Sequence, residues 1–254
     1  MFTNTARFLP VALLVLGSAS ARDDTPAIVT KARAYLGSNA ALDAVKSVHF
    51  TGSVTAADNS KAVIEIIFQK PYQQRITATT DKNIETTALD NYDGWRRLQE
   101  TKDSSRWQLT LLSKDQIKRL RANTWENLAY FSGMDRGGVK LEELGDATAE
   151  GVACRKVAFR HADDIVFFRY FDQATGRLVL TETETGGSIR EEGEIMVNGI
   201  RFPKKVITAS KERGGKDGKE INSVSITVFF EKITLNEKFA ASSFAIPAFS
   251  AKGR

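Results

Sequence analysis

Residues 197–210, VNGIRFPKKVITAS, carry a two-residue turn signal, Asn198-Gly199, followed by Ile200, Phe202, Val206 and Ile207. Asn-Gly closes tight type I′ hairpins, because both central residues must take positive φ. Pro203 lies inside the apolar run. Proline has no amide proton, so it belongs at an edge, a strand start or a bulge and not in a central ladder. With Lys204 and Lys205 beside it, the stretch predicts an antiparallel hairpin strand.

Outward from this hairpin, period two dominates. In KAVIEIIFQKPYQQRITATT (61–80), Ile64, Ile66, Phe68, Ile76 and Ala78 share even positions. Glu65, Gln69, Arg75, Thr77 and Thr79 share odd ones, and Ile67 is the exception. That alternation is the mark of a half-buried strand. Asp93-Gly94 reads as another hairpin turn, with Trp95 opening the next strand. Further strands are expected near 105–112, 152–161, 164–171, 177–185, 188–197, 200–210 and 221–234, with turns at DQATG, Gly186-Gly187 and KERGGKDGK.

Two of these strands differ in kind. In SVSITVFFEK (223–232), Val224, Ile226, Val228 and Phe230 face one way and Ser223, Ser225 and Thr227 the other, giving one dry and one wet face. In DIVFFRYF (164–171) both parities are apolar, Val166, Phe168 and Tyr170 on one and Ile165, Phe167 and Phe171 on the other. A strand of that kind is covered on both faces.

Helical spacing appears in two places. PAIVTKARAYLGSNAALDAVK (26–46) reads as two pieces, the first ended by Gly37 and the second capped by Ser38 or Asn39. SKDQIKRLRANTWENLAYFSG (113–133) opens with Ser113 and has Gln116 three residues on, a capping-box pattern. Ile117, Leu120, Thr124, Leu128 and Phe131 form its stripe, flanked by Trp125.

About eleven strands at about 4.8 Å spacing would make a flat sheet about 50 Å wide. Sheets of that size curl. The expected fold is therefore mainly β with α: a curved, unclosed antiparallel half-barrel of about eleven strands, its concave face covered by helices.

The first residues, MFTNTARFLPVALLVLGSASARDD, place Arg7 before an apolar run from Phe8 to Leu16 and then Ala19-Ser20-Ala21. This is the layout of a secretory signal peptide with an A-x-A site, and the run is shorter than the roughly 20 residues a spanning helix needs. Residues 1–21 are expected to be cleaved after Ala21, leaving 22–254 as a single domain in the periplasm. Loss of Arg7 takes the formal charge from +5 to +4. That balance permits contact with anionic lipid without singling it out. Nucleic acid is not an expected partner. The single cysteine, Cys154, cannot form an internal disulfide and reads as a small buried apolar residue.

Catalytic patterns are sparse. His49, expected on a strand, and His161, expected in a turn, are the only histidines, and neither sits in H-E-x-x-H. Cys154 has no partner at metal spacing, so no metal site and no cofactor are expected. There is no G-x-S-x-G elbow, P-loop or dinucleotide fingerprint. The carboxylate pairs Glu142-Glu143, Asp163-Asp164 and Glu191-Glu192 read as solvated charge. Spatial pairing of carboxylates is invisible to sequence, which keeps an unrecognised hydrolase as a third alternative.

Several stretches resemble the LolA-like and LolB-like periplasmic lipoprotein carriers, especially the longer outer membrane lipoprotein-sorting type. KARAYLGSNAALDAVKSVHFTGSV is similar to the opening helix and first strand, IIFQKPYQQRI to the second and third strands, and NYDGWRRL to an aromatic-Asp-Gly hairpin. FDQATGRLVLTET, VNGIRFPKKV and TLNEKFAASSFAIP are similar to the closing hairpins and terminal segment. The resemblance implies an apolar cavity for acyl chains under a helical lid. In the carriers the residue before the proline is an arginine that helps hold the lid closed. Here it is Lys70, before Pro71, and lysine does not reproduce arginine's fork of donors.

The expected protein is thus a non-enzymatic, monomeric exported carrier of lipid or lipoprotein acyl chains, with a transient membrane or membrane-protein partner. A regulatory sensor module of the RseB type is the alternative. The expected cavity lining is Ile64, Ile66, Phe68, Leu120, Trp125, Leu128, Phe167 or Phe168, Val224, Ile226 and Val228, with Lys70 at the lid or rim.

Overall fold

The computed structural model of the protein describes residues 25–134, 136–213 and 220–248, with the side chains of 211–213 and 220–224 outside that description. The expected signal peptide, residues 1–21, also lies outside the described residues. Two short helices, α1 (Ala27–Leu36) and α2 (Asn39–Asp43), lead into β1 (Ser47–Ala56), β2 (Lys61–Gln69), β3 (Gln73–Thr79), β4 (Asn83–Asp90), β5 (Asp93–Glu100) and β6 (Trp107–Leu111). The long helix α3 (Lys114–Ala129) follows. A second meander comprises β7 (Lys140–Ala149), β8 (Val152–Ala162), β9 (Ile165–Asp172), β10 (Leu178–Thr183), β11 (Ser188–Val197), β12 (Ile200–Arg213) and β13 (Glu220–Leu235).

All thirteen strands form one antiparallel sheet in the order β6-β5-β4-β3-β2-β1-β13-β12-β11-β10-β9-β8-β7. The last strand returns to pair with the first, which fuses the two meanders and leaves β6 and β7 as edges. The sheet is therefore unclosed, as expected, with thirteen strands instead of about eleven. The clearest omission from the sequence reading is β7, KLEELGDATA. As an edge strand it buries little beyond Ala149 and is interrupted by a bulge at Gly145, so it lacks the apolar alternation that marks the others.

Helix α3 reveals how strongly the sheet curls. Thr124 donates to Gln74 Oε1 on β3 at 3.1 Å, while Glu126 ion-pairs with Arg169 on β9 at 2.6 Å. Those strands stand seven positions apart in the sheet, about 34 Å if the sheet were flat. Two residues of one helix, whose full diameter is about 10 Å, bridge them. The sheet is folded around the helix. The capping box at Ser113 and Gln116 is present, and Ser38 caps α2.

The opening hairpin forms as read. Asn198 and Gly199 have φ of 50° and 78°, and Val197 pairs with Ile200. Pro203 pairs with Glu194 of β11, in the part of β12 that precedes its pairing with β13 at Lys205, so it occupies a local edge. Two local expectations are corrected. The β4–β5 turn is Asn91-Tyr92, with Asn91 at φ 56°, and Asp93-Gly94 already belong to β5. A Cβ on Gly94 would meet Ile117 and Leu112 at 3.0 Å, so that glycine serves close packing. His161 lies on β8 and not in a turn, because its ring is drawn under α3 by Glu126.

The face of the sheet away from α3 is covered over β1–β5 by the C-terminal segment. Glu237 holds His49 at 2.8 Å, the Phe239 amide donates to Gln69, and Trp95 Nε1 donates to the Phe244 carbonyl at 2.8 Å. This explains Ile67, the exception to alternation: it pairs with His49 and is fully buried beneath that segment. Cys154 is free and fully buried.

Candidate ligand-binding cavity

Helix α3 ends at Tyr130, and both Tyr130 and Phe131 adopt left-handed backbone, φ 48° and 63°. Such backbone is unfavourable for residues with a Cβ and persists only where tertiary contacts hold it. Here it sends consecutive rings into different cores. Phe131 joins Val29, Ala32, Phe159, Phe167 and Phe171 in one cluster. Tyr130 joins Phe50, Phe68, Leu128, Phe202 and Phe230 in the other. Leu36 of α1 touches both.

Arg33 ties this junction together. Its side chain is 10% exposed. Nε donates to Asn39 Oδ1 at 2.8 Å, Nη2 to Asp43 Oδ1 at 2.7 Å, and Nη1 to the Tyr130 carbonyl at 2.8 Å. One guanidinium thereby joins α1, α2 and the last carbonyls of α3, which have no partner within the helix. On the other flank, Gly176 in the β9–β10 turn has φ 82°, and a Cβ there would sit 2.8 Å from the Lys31 backbone of α1.

Between the two clusters lies a cavity of about 510 Å³, roofed by α1 and the end of α3 and floored by β9–β12. Its apolar lining comes from Leu36, Phe131, Leu178, Phe202 and Pro203. Arg169 stands at its inner end, 8% exposed, with its guanidinium carbon 4.5 Å from the Phe159 ring centroid and 5.0 Å from that of Phe131. Nη1 meets Glu126 Oε2 at 2.6 Å, a contact of charges whose angles fall outside those of a hydrogen bond. The other Glu126 oxygen lies 2.5 Å from His161 Nε2. Burial pushes the Glu126 carboxyl up, but Arg169 and His161 outweigh it and hold the group below the usual carboxylate range.

Glu191 also lines the cavity, and it forms no ion pair among the described residues. It is half-buried because the surface it keeps belongs to the cavity, while protein encloses it. Burial pushes its carboxyl above the usual range, with Arg169 opposing. The Tyr130 hydroxyl is buried without a hydrogen-bond partner, and burial pushes that phenol far up. The rim is charged: Glu194 bonds Tyr35 and Arg201, Glu192 pairs with Lys205, and Arg177 lies beside them.

None of the cavity residues singled out from sequence whose side chains are described lines this cavity. Ile66, Phe68, Leu128 and Val228 are part of the second cluster or packed against it, and Phe167 and Trp125 hold the same positions in the first. Ile64 is buried, Leu120 is half-buried on α3, and Ile226 is 37% exposed. The Val224 side chain lies outside the described residues. Phe167 is on the helix-covered face, whereas Phe168 is on the opposite one with Tyr170 and Cys154, under the Lys156 ammonium. Trp125 lines a second, shallower concavity, where it stacks on Tyr72 and Arg121 lies 3.9 Å and 4.0 Å from the Tyr72 and Tyr92 centroids. Lys70 is exposed, with Asp43 of α2 and Arg33 of α1 the charges that act on its ammonium.

Sequence reading missed Arg33, Tyr130, Arg169, Leu178 and Glu191. For Arg169 a signal existed, as the lone cation on the inward parity of an apolar strand. Among the described residues no cluster of three or more His, Cys, Asp or Glu could hold a metal ion, and no helix is long and apolar enough to cross a membrane.

A curled, unclosed sheet lidded on its inner face by helices is shared with solved structures. A LolA superfamily protein from Nitrosomonas europaea superposes with a TM-score of 0.52 at 14% identity, covering 86% of this chain and 96% of that one. The fold is LolA-like. A putative outer membrane lipoprotein-sorting protein domain from Vibrio parahaemolyticus superposes with a TM-score of 0.51 at 8% identity, over 85% of this chain and 94% of its own. A DUF1329 family protein from Desulfovibrio piger gives 0.50 at 8% identity, over 87% and 97%. No protein-family profile and no curated protein matches the sequence. At these identities the likeness of this LolA-like chain is one of fold.

Proposed function

We propose that this LolA-like protein is an exported, non-enzymatic carrier that binds lipid or lipoprotein acyl chains in the cavity between α1, α3 and β9–β12. The observation that carries the reading is the cavity itself, an apolar-lined space left where the two cores fail to meet. Its volume of about 510 Å³ lies within the range of about 300–1,000 Å³ usual for small-molecule sites. Each methylene moved from water into such a space contributes about 0.8 kcal/mol, so few polar contacts are needed. The charged groups at its inner end are engaged with one another, Glu126 with Arg169 and His161, which supports binding over catalysis. The signal-peptide layout supports a periplasmic location, and a monomer delivering cargo to a membrane or membrane-protein partner is the simplest working form.

Mass spectrometry of lipids co-purifying with the protein, joined to displacement of a fluorescent fatty acid, tests this. Acyl lipid at near one-to-one, lost in Leu178→Trp with little change in stability, supports it. The charged rim favours the sensor reading instead, since Glu194, Arg177 and Arg201 suit a peptide. Absence of lipid together with capture of a membrane-protein ectodomain would replace the carrier with the sensor.

A further inference from the structure

We propose that the open edge of β11, from Arg190 to Val197, binds an extended peptide by strand addition, with a lysine or arginine of that peptide meeting Glu191 in the cavity. The inference goes beyond the acyl-carrier reading and does not rest on it, since a backbone edge needs no lipid.

The sheet splits at this place. β11 pairs with β12 along its length, from Ser188 with Ala209 to Val197 with Ile200, but with β10 only at Ser188 and Ile189. Beyond Ile189 the two strands part. β10 stays with β9, where Leu178 pairs with Phe171. Leu178 and the preceding Arg177 form one lip of the cavity, and Glu191, Glu192, Gly193 and Glu194 form the other. Among the described residues, no backbone hydrogen bond occupies the side of Arg190–Val197 that faces the split. Tyr35 of α1 reaches this lip through its hydroxyl, bonded to the Glu194 side chain. No residue of β11 is buried. A row of free N–H and C=O groups is a template for another extended backbone. The outer edges of the sheet offer less, as β6 is only Trp107–Leu111 and β7 is broken by the bulge at Gly145.

Glu191 decides which peptide fits. It pairs with Val206 and shares the parity of Ile195, and both of those side chains pack on the inner core. Its carboxyl therefore turns inward, where it lines the cavity without a hydrogen bond or ion pair among the described residues. Arg169, the cation that acts on it, is already engaged by Glu126. Sheets guard open edges with inward-pointing charges, which reject a strand of apolar side chains. The same charge admits a strand with a cation opposite it, because residues directly opposite on neighbouring strands face one side about 5 Å apart. Toward Val197 that face meets Leu36 and Phe202, which favours apolar side chains at the flanking alternate positions.

The probe is a capped peptide, Thr-Val-Thr-Lys-Thr-Val-Thr, titrated against the full chain. Beside it stand a counterpart with glutamate at the centre and a third peptide with every amide N-methylated. The lysine peptide is expected to bind about 3–10-fold more tightly than the glutamate one, the difference between an attractive and a repulsive cross-strand pair. The N-methylated peptide should not bind, for want of ladder donors. Hydrogen exchange should slow within 190–197 on binding and stay unchanged in β6 and β7. In Glu191→Gln the lysine and glutamate peptides should bind alike, because the ladder remains and the charge is gone. Equal binding of the N-methylated peptide, protection at β6 or β7 instead of β11, a lysine preference that persists in Glu191→Gln, or no binding of the lysine peptide would each overturn the proposal. Displacement of a fluorescent fatty acid is read in parallel. A protein that takes the fatty acid and not the peptide loses this site and keeps the carrier reading, and the reverse result keeps the site and removes the carrier.

Discussion

Replacing Arg33 by methionine tests the joint that holds the helical roof. Methionine keeps an unbranched stem of similar reach and a good helix propensity, so the change removes the guanidinium fork alone. Two of its acceptors lose little. The Asp43 side chain is 67% exposed and Asn39 is exposed, so water replaces the arginine there, and such surface pairs contribute about 0–1 kcal/mol. The Tyr130 carbonyl is buried and accepts from Nη1 at 2.8 Å. Left unpaired, a buried acceptor costs about 1–3 kcal/mol. The total is about 2–3 kcal/mol. With a urea m-value of about 2–3 kcal/mol/M for a chain of this size, the midpoint should fall by about 1 M with m unchanged. Hydrogen exchange should quicken in α1 and α2 first, since they are fastened through this side chain. Arg33→Lys should restore less than half, because an ammonium places its three donors on one nitrogen and does not span the acceptors that the planar fork reaches from three. A methionine variant with an unshifted midpoint and unchanged exchange in α1 would refute the idea that this fork holds the roof.

Other expectations follow from the same geometry. The folded-state pKa of Glu126 is depressed, so its contribution is fully present above the unfolded value of about 4.3 and is lost as pH falls through the lower folded value; an acid unfolding series on Glu126→Gln should show a flatter profile below pH 4 than wild type. Glu191 has the opposite sign, since its folded pKa is raised and stability is lost as pH rises above about 4.3; Glu191→Gln should raise the melting temperature at pH 7 and leave it unchanged near pH 4. Gly176→Ala places a Cβ at φ 82° against the Lys31 backbone, and thermal unfolding should register a loss of about 1–3 kcal/mol. Ile226→Trp, at a site 37% exposed and outside the cavity, should leave fatty-acid displacement intact, in contrast to Leu178→Trp.

The sequence by itself determined most of the strands, their hairpin succession and the starts of the helices, but not β7 or the return of β13 to β1. Asn198-Gly199, the alternation in 61–80 and the Ser113–Gln116 box are local signals, since turn φ, pleat parity and cap hydrogen bonds are all settled within a few residues. Curling was legible too, because strand count and strand spacing force it. Only the tertiary structure decided where the cavity lies. Ile66 and Phe68 of β2 and Leu128 of α3 do face inward, but with Phe230 and Phe202 they close into core. Apolar periodicity tells which side faces the interior and is silent on whether the interior is full. Two left-handed residues at the end of α3 part the rings of Tyr130 and Phe131, and the space between their cores depends on side chains from α1, α3 and β9–β12 that lie up to about 170 positions apart. Glu126, Arg169 and Glu191 acquire their meaning in the same way. Each is an ordinary charged residue in the chain, and only the folding of the sheet around α3 removes the water that would otherwise screen them from one another.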